Sequence, residues 1–270
     1  MPVTERNNSR SWQKQTPRES LLTWLAWLVG LVVLIICFRF ISGHTIWMFV
    51  LDAPEQAADL VSRMFPPDWA YANRLWRALW DTINIATLGT LIAVLISIPL
   101  AFLAARNTTP HPIFRQFALL VIVFSRSVNA LIWALLLVSI IGPGLLAGIL
   151  AIALRSIGFV SKLLFEAIEE INPRPIEALT STGATSAQVT SYGIVPQIMP
   201  TFIGTSVYRW DINIRESTIV GLVGAGGIGL QLDSAIASLQ WERASIIFIL
   251  ILALVVISEW VSAQARKAIT

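Results

Sequence analysis

Long apolar stretches separated by short polar segments run through most of the chain. Residues 21–38 and 82–105 contain no charged side chain. A helix needs about 20 apolar residues to cross a hydrocarbon core roughly 30 Å thick, and both stretches meet that requirement. The other apolar stretches have similar lengths but contain a few polar residues, and the stretch 197–223 contains four charged ones. The pattern predicts an all-α membrane protein with six transmembrane helices, at about residues 21–41, 80–105, 113–141, 144–165, 197–223 and 244–263.

Composition supports this assignment and narrows the class of function. Hydrophobic residues make up 56% of the chain, charged residues only 13%, and the mean hydropathy is +0.71. Those proportions are typical of an integral membrane protein and not of a nucleic-acid-binding protein. The only cysteine in the sequence, Cys37, falls inside the first predicted helix. The sequence therefore offers neither a disulfide framework nor a thiolate metal site.

The distribution of basic residues predicts the orientation of the helices. Short cytoplasmic loops are enriched in Lys and Arg, whereas translocated loops are not. With the N-terminus inside, the cytoplasmic segments hold ten basic residues: Arg6, Arg10, Lys14, Arg18, Arg106, Arg115, Lys162, Arg174, Arg266 and Lys267. The outside segments hold four: Arg63, Arg74, Arg77 and Arg243. This excess predicts that both termini are cytoplasmic.

Two segments lie outside the predicted spans on the N-terminal side. Residues 1–20 are polar and predict a mobile cytoplasmic tail, which leaves residues 21–270 as one transmembrane domain. Within the outside segment 43–80, residues 54–64 predict an amphipathic helix at the membrane surface. We expect this helix to stop before Pro66 and Pro67.

A polar segment with helical patterning, residues 173–196, separates the fourth and fifth predicted spans. Pro173 and Pro175 mark its start, and Glu177 falls in the first helical turn, where a carboxylate interacts favourably with the helix dipole. Gly183 interrupts the helical pattern. A short helix of this kind suits docking into a groove of a soluble partner. An ordinary surface loop is the alternative that these residues leave open.

The order of residues in this segment resembles the EAA loop of permease subunits of binding-protein-dependent ABC importers. Glu177-Ala178 is followed by Gly183 and then by Ile194-Val195-Pro196. The sequence departs from the family pattern at positions 179 and 195, where alanine and leucine are usual. The resemblance implies that the loop forms coupling helices seated in a cleft of the ATP-binding subunit. The residues expected to contribute to that coupling are Glu177, Ala178, Gly183 and Pro196.

Further segments narrow the resemblance. The sequence YRWDINIRES at 208–217, followed by GLVGAGGIG at 221–229, resembles phosphonate and phosphite permeases, as do LRSIG at 154–158 and FEAIE at 165–169. The resemblance covers roughly residues 75–265. It implies a type I importer permease fold, like that of methionine permeases, and a phosphorus oxyanion as cargo. Because methionine permeases share a similar glycine run, the glycines alone do not select the cargo.

Arginines inside the predicted helices are the candidate residues for binding such a cargo. An arginine near the centre of a membrane helix costs roughly 2.5–3.5 kcal/mol and is tolerated chiefly where it faces protein or water. A guanidinium is a bidentate partner for phosphonate or phosphite oxygens, and neutral side chains add hydrogen bonds. The candidate pathway residues are Arg126, Ser127, Asn129, Arg155 and Arg209. Structural ion pairing is the alternative, and it is favoured for Asp211 and Arg215, which are four residues apart on one helical face.

A run of glycines follows the fifth predicted span. Gly224, Gly226 and Gly229 have the GxGxxG spacing of a dinucleotide site, but they follow a membrane helix and not a strand. Together with Gly227 they are better interpreted as a hinge or as unwound backbone that lines the pore. The sequence contains no GxxxxGK[ST] run. ATP and Mg²⁺ are therefore expected on a partner subunit, and no cofactor is expected on this chain.

These observations predict a transport subunit and not an enzyme. The resemblance implies a bacterial inner-membrane location and four partners: a second copy of the chain, a dimer of ATP-binding subunits, an extracytoplasmic binding protein and the lipid bilayer. A permease for another small solute, such as methionine, is the nearest alternative. A secondary transporter would require internal repeats and ion-coupling carboxylates. A membrane enzyme would require a catalytic or metal-binding cluster, and both histidines, His44 and His111, fall in predicted loops.

Overall fold

The protein is described by a computed structural model that covers residues 3–6, 9–12 and 17–267. The chain divides into two compact units, residues 1–61 and residues 62–270. In the first unit, strands β1 (Val3–Arg6) and β2 (Ser9–Trp12) pair antiparallel, with Glu5 opposite Arg10. Both strands fall within the predicted mobile tail of residues 1–20, and the mobility of that tail stays a prediction.

Two helices follow the ladder. Helix α1 spans Pro17–His44 and begins earlier than predicted, because a helix continues through the polar boundary of the membrane and Pro17 is well suited to its first turn. Helix α2 spans Trp47–Met64 and also begins earlier than the predicted interfacial helix. Pro54 lies inside α2, where it removes one backbone hydrogen bond without ending the helix.

The described residues of the second unit are helical or lie in short connections. Its helices are α3 (Trp69–Ala104), α4 (Pro112–Ser127), α5 (Ala130–Ile141), α6 (Leu145–Glu169), α7 (Pro173–Ser181), α8 (Ser186–Val189), α9 (Val195–Val220), α10 (Gly227–Ala237) and α11 (Trp241–Lys267). Two π-helical turns, Thr190–Ile194 and Gly221–Ala225, flank α9. Across the described residues, four helices are long and apolar enough to span a membrane, and the number is six when each bent pair counts as one span.

One predicted span is broken, and another is followed by a bend. Helices α4 and α5 meet at 90°, and the helical segment of residues 186–225 meets α10 at 57°. The prediction of one continuous helix over residues 113–141 was therefore wrong. At the break, Asn129 Oδ1 accepts a hydrogen bond of 3.2 Å from the backbone N–H of Leu131 and caps α5. Asparagine favours such a cap because its side chain competes with the backbone for hydrogen bonds.

The other predicted boundaries differ mainly because helices extend beyond the hydrocarbon core. Helix α3 begins at Trp69 and not near residue 80, since Asp68 Oδ1 accepts a 3.2 Å hydrogen bond from Tyr71 N and caps it. Helices α6 and α11 likewise run several residues past their predicted ends. Hydropathy marks the membrane-embedded part of a helix, whereas caps mark its ends.

Helix α6 lies at the centre of the second unit and packs against α3, α4, α5 and α9. Small residues let these helices approach closely, as is common in membrane helix packing. A Cβ added at Gly89 of α3 would lie 2.8 Å from Ile152 Cγ2 of α6, and Ala86 and Ala93 of α3 are fully buried. This packing fixes α6 beside α9, and the polar residues of the two helices form the candidate site.

Candidate translocation site and docking segment

Two arginines and one glutamate meet between α6 and α9. Glu216 Oε2 lies 3.1 Å from Arg209 Nη2, and Glu216 Oε1 lies 3.2 Å from Arg155 Nε. Arg209 and Glu216 are seven residues apart, which places them two turns apart on one face of α9. Because two guanidinium cations share one carboxylate, this arginine cluster keeps a net positive charge.

Neutral side chains and an aromatic ring complete the surroundings of Arg209. Its Nε donates to Ser156 Oγ at 2.9 Å, and its Cζ lies 5.2 Å from the ring centroid of Phe159. Asn213 Nδ2 donates to Thr90 Oγ1 at 2.7 Å and to Ser156 Oγ at 3.1 Å. Arg209 is only 2% exposed. We therefore interpret Arg209 as a residue that positions its neighbours and not as one that a passing solute contacts.

Arg155 is the more accessible arginine of the cluster. Its side chain is 30% exposed, against 3% for that of Arg209. The Nε atom of Arg155 pairs with Glu216 Oε1. The two terminal nitrogens of Arg155 form one edge of the guanidinium plane, and such an edge can bind two oxygens of an oxyanion.

The predicted ion pair of Asp211 and Arg215 is confirmed. Arg215 Nη2 contacts Asp211 Oδ2, and Asp211 Oδ1 accepts a 2.8 Å hydrogen bond from Ser258 Oγ of α11. Asp211 is buried, whereas Arg215 is exposed. The pair therefore ties α9 to α11 and is separate from the arginine cluster.

The other predicted pathway residues, Arg126, Ser127 and Asn129, lie exposed around the break between α4 and α5. Ser127 Oγ donates to the Val123 carbonyl within its own helix at 2.8 Å, and Asn129 Oδ1 is used by the cap of α5. Arg126 Cγ lies 2.8 Å from the position that a Cβ on Gly158 of α6 would take. Arg126 is thus close to α6 but is not joined to the arginine cluster, and the pathway role of these three residues stays a prediction.

The glycine run forms a packed turn between α9 and α10. The φ values of Gly224, Gly226 and Gly227 are +91°, +86° and +72°, a region that favours glycine. The backbone is non-helical at Val223 and Gly224. A Cβ at Gly229 would lie 2.0 Å from a backbone carbonyl oxygen of α9. The turn requires glycine for its conformation and for close packing, and its hinge and pore-lining roles stay predictions.

Helices α7 and α8 with the turn Thr190–Ile194 form the docking segment predicted from the sequence. Glu177 and Ala178 are exposed on α7, and Pro196 is exposed in the first turn of α9. Gly183, with φ of +79°, lies just after α7 and donates its N–H to the Thr180 carbonyl at 3.0 Å. A glycine with positive φ directly after a helix is a common C-terminal cap. The coupling role of these residues stays a prediction. The exposure of Glu177, Ala178 and Pro196 is compatible with contact to a partner subunit.

The opposite face of α7 packs onto the turn before α9. A Cβ at Gly193 would lie 3.2 Å from Leu179 Cδ1 and 3.4 Å from Ile176 Cγ1. Gly193 itself is buried. The docking segment thus has an apolar inner side and a polar outer side, as expected of a helix laid between its own domain and a partner.

Gln197 joins the docking segment to α9. Its Oε1 accepts a 3.0 Å hydrogen bond from Asn172 N, and its Nε2 donates to the carbonyl oxygens of Asn172 at 3.3 Å and Gly193 at 2.7 Å. Asn172 in turn caps α7, since its Oδ1 accepts from Arg174 N at 3.1 Å. One side-chain amide therefore holds both ends of the docking segment at the first turn of α9.

Sequence reasoning did not identify Glu216, Ser156, Asn213 and Gln197 as members of these sites. The seven-residue spacing of Arg209 and Glu216 on one helix was a signal for their pairing. The other three contacts join residues that are 25 or more positions apart in the sequence. Only packing of helices against each other reveals such contacts.

The polar groups of the arginine cluster are two guanidinium cations, an amide and hydroxyls around one carboxylate. Such a set attracts and hydrogen-bonds an anion. Within the part of the chain that the structure describes, no group of three His, Cys, Asp or Glu side chains could hold a metal ion.

Residues 97–268 match the family described as "binding-protein-dependent transport system inner membrane component". The chain belongs to this family. It is therefore a membrane-embedded permease subunit of an ABC transporter, and ATP hydrolysis belongs to a partner subunit. The predicted family, the all-α permease fold and the non-enzymatic role are confirmed.

Two relatives of this permease are named for the transport of phosphite or phosphate. The chain is 39% identical to the phosphite transport system permease protein PtxC of Stutzerimonas stutzeri, over 81% of this chain and 79% of that protein. It is 41% identical to the phosphate-import permease protein PhnE of Mycolicibacterium smegmatis, over 81% of this chain but only 41% of that longer protein.

Solved structures with the same fold include ABC transporters of amino acids. The inward-facing MetNI methionine transporter superposes with a TM-score of 0.62 at 20% identity, covering 73% of this permease and 96% of that chain. An amino acid ABC transporter with histidines superposes with a TM-score of 0.63 at 21% identity, covering 74% of this permease and 95% of that chain. These likenesses concern the fold alone.

Proposed function

We propose that this permease forms the path by which phosphite or a phosphonate crosses the inner membrane after delivery by an extracytoplasmic binding protein. The arginine cluster is the observation that carries the proposal, because it presents a net positive charge and an accessible Arg155 between two membrane helices. The 39% identity to a protein named for phosphite transport supports the same class of cargo.

The cluster is built to bind an anion weakly. Two oxygens of the cargo bind the terminal nitrogens of Arg155, while Arg209 holds Glu216 in place from the buried side. Glu216 offsets part of the positive charge, so the anion is attracted and then released. Arg126, an exposed cation beside α6, adds to the positive potential of the path.

The proposed assembly contains two copies of this chain, which together form the pore. A second copy related by a two-fold axis brings a second Arg155 towards the same anion. Two ATP-binding subunits dock on the segments that contain Glu177 and Gly183, and they hydrolyse ATP with Mg²⁺ on the side where both termini of this chain lie. The proposed cytoplasmic position of the termini rests on the excess of basic residues in those segments.

Changing Gln197 to Leu is expected to uncouple ATP hydrolysis from transport. The change removes three hydrogen bonds between the docking segment and α9, each contributing about 0.5–1.5 kcal/mol. A movement of the docking segment is then coupled more weakly to a movement of α9. In proteoliposomes, the ratio of cargo imported to ATP hydrolysed is expected to fall severalfold while basal ATP hydrolysis is retained.

Gln231 provides the matched control for Gln197. It lies on α10 and accepts a 3.2 Å hydrogen bond from Tyr71, outside the docking segment. Gln231→Leu is expected to keep the transport-to-hydrolysis ratio of the unchanged protein. An unchanged ratio in Gln197→Leu as well would show that this glutamine does not transmit the movement.

Uptake of labelled phosphite into proteoliposomes that contain the whole transporter tests the proposed cargo. We expect ATP-dependent uptake that excess phosphonate suppresses and excess methionine does not. Arg155→Gln is expected to reduce uptake about tenfold, the effect of losing roughly 1.4 kcal/mol from a charge-assisted contact.

Arg215→Gln removes a cation from the neighbouring α9 face while keeping a hydrogen-bonding partner for Asp211. It is expected to retain most of the uptake. Equal losses in the Arg155 and Arg215 variants would mean that the cluster acts only as structure. Uptake of methionine in place of phosphite would support the alternative of a methionine permease.

A further inference from the structure

A polar cavity of about 440 Å³ lies between α6 and α9, apart from the arginine cluster. Its polar lining residues are Glu166, Glu170, Asn172, Gln197, Thr201 and Thr205. Two of these, Asn172 and Gln197, form the clamp that holds the docking segment. The cavity therefore lies at the end of the helices where the ATP-binding subunit is proposed to dock.

Helical periodicity connects this cavity to the arginine cluster. On α6 and its C-cap residue Glu170, the positions 155, 159, 162, 166 and 170 recur every three or four residues and share one face. On α9, the positions 197, 201, 205 and 208 do the same, and position 216 follows eight residues later. Arg155 contacts Glu216 and Phe159 contacts Tyr208, so the two faces oppose each other. We call the interface between them, which extends about 16 Å along α6 from Arg155 to Glu166, the groove.

Contacts across this groove follow one another in the expected order. Arg155 meets Glu216 at one end. Phe159 and Tyr208 come next, with ring centroids 6.3 Å apart. The cavity follows, lined by Glu166 of α6 and its C-cap residue Glu170 on one side and by Thr201 and Thr205 of α9 on the other. The aromatic pair thus separates the arginine cluster from the cavity.

The charge of the groove changes sign along its length. The arginine cluster is net positive, whereas the cavity is lined by Glu166 and Glu170. Lys162 pairs with Glu166 at 3.3 Å and offsets one of the two carboxylates. An anion that passes the aromatic pair therefore leaves an attractive region and enters one with excess negative charge, where it does not bind.

We infer that this groove is the exit route of the oxyanion, and that Glu166 and Glu170 make the cavity a release chamber from which the anion is repelled into the cytoplasm. The inference rests on the proposed function. It adds a direction to the path, because the same cargo is attracted at Arg155 and repelled beyond Tyr208.

Thiol labelling of the complete transporter in proteoliposomes tests this exit route. Cys37 is first changed to Ser, which leaves the chain without cysteine. Thr205→Cys then places a thiol in the cavity, and Ser206→Cys places one at the next position of α9, in an apolar groove that Trp210 also lines. Charged, membrane-impermeant methanethiosulfonates are added from each side. A thiol reacts fast only where water allows the thiolate to form.

We expect Thr205→Cys to react from the side of ATP hydrolysis and to lose phosphite uptake on reaction, while Ser206→Cys reacts slowly. We also expect the cationic reagent to modify Thr205→Cys faster than the anionic one, and Glu170→Gln to reduce that preference. Thr201→Cys repeats the test if the first variant does not assemble.

Equal reaction of the Thr205 and Ser206 variants, reaction from the opposite side only, or modification without loss of uptake would each overturn the exit route. A preference for the anionic reagent would overturn the role of the two glutamates. Failure of the proposed cargo is seen separately, because the cysteine-free protein would then import no phosphite before any reagent is added.

Discussion

Changing Glu216 to Gln is expected to destabilise the permease more than any other loss of a single charge in the arginine cluster. The variant keeps the shape of the side chain but leaves Arg155 and Arg209 without their shared carboxylate. Removing one partner of a buried ion pair typically costs about 3–5 kcal/mol, because the remaining charge is not compensated. The free energy of unfolding in mixed micelles, measured by denaturant titration, is expected to fall by about that amount.

Glu166 provides the matched control for stability. It pairs with Lys162 at a similar distance, but the two side chains are 42% and 38% exposed. Solvent screens such a pair, so Glu166→Gln is expected to cost no more than about 1 kcal/mol. Equal losses in the two variants would contradict the interpretation that Glu216 is the counterion of a buried cluster.

Changing Gly229 to Ala is expected to prevent correct packing of α10 on α9. The added Cβ would lie 2.0 Å from the carbonyl oxygen of Thr218 and 2.8 Å from the Cα of Gly221. Both are backbone atoms, so no side-chain rotation relieves the contact and the turn itself has to open. Overpacking of this kind costs about 3 kcal/mol or more. Assembly with the ATP-binding subunit, measured by copurification, is expected to drop sharply.

Gly204 is the matched control because it lies in α9 with no atom within 4 Å of an added Cβ. Gly204→Ala is expected to raise stability slightly, by about 0.5–1 kcal/mol, since alanine restricts the unfolded chain and favours helix. The two substitutions are chemically identical and differ in the sign of their expected effect. Normal assembly of Gly229→Ala would contradict the packed-turn description.

The presence of several membrane helices and of a short helical segment before α9 could be predicted because each depends on local pattern. Charge-free stretches fix the presence of membrane helices, and prolines and glycines fix the limits of α7. The break at Asn129 could not be predicted from hydropathy, since both helices that flank it are apolar. Their 90° bend depends on packing against α6.

The ion pairs of α9 also show that local sequence pattern predicts contacts within a helix but not contacts between helices. Asp211 and Arg215 are neighbours on one helix, and their pairing was predicted and is confirmed. Arg155 and Glu216 come from different helices, and only the packing of α6 on α9 brings them together. The prediction treated Arg126, Arg155 and Arg209 alike, whereas the structure places them in exposed, half-buried and buried positions.

ATP hydrolysis by the reconstituted transporter is the measurement to make first. The permease, its ATP-binding partner and its binding protein are combined in proteoliposomes, with the binding protein loaded in turn with phosphite, a phosphonate, phosphate or methionine. We expect phosphite or a phosphonate to stimulate hydrolysis and methionine to leave it at the basal rate. Stimulation by methionine alone would keep the permease fold and contradict the proposal that the arginine cluster conducts a phosphorus oxyanion.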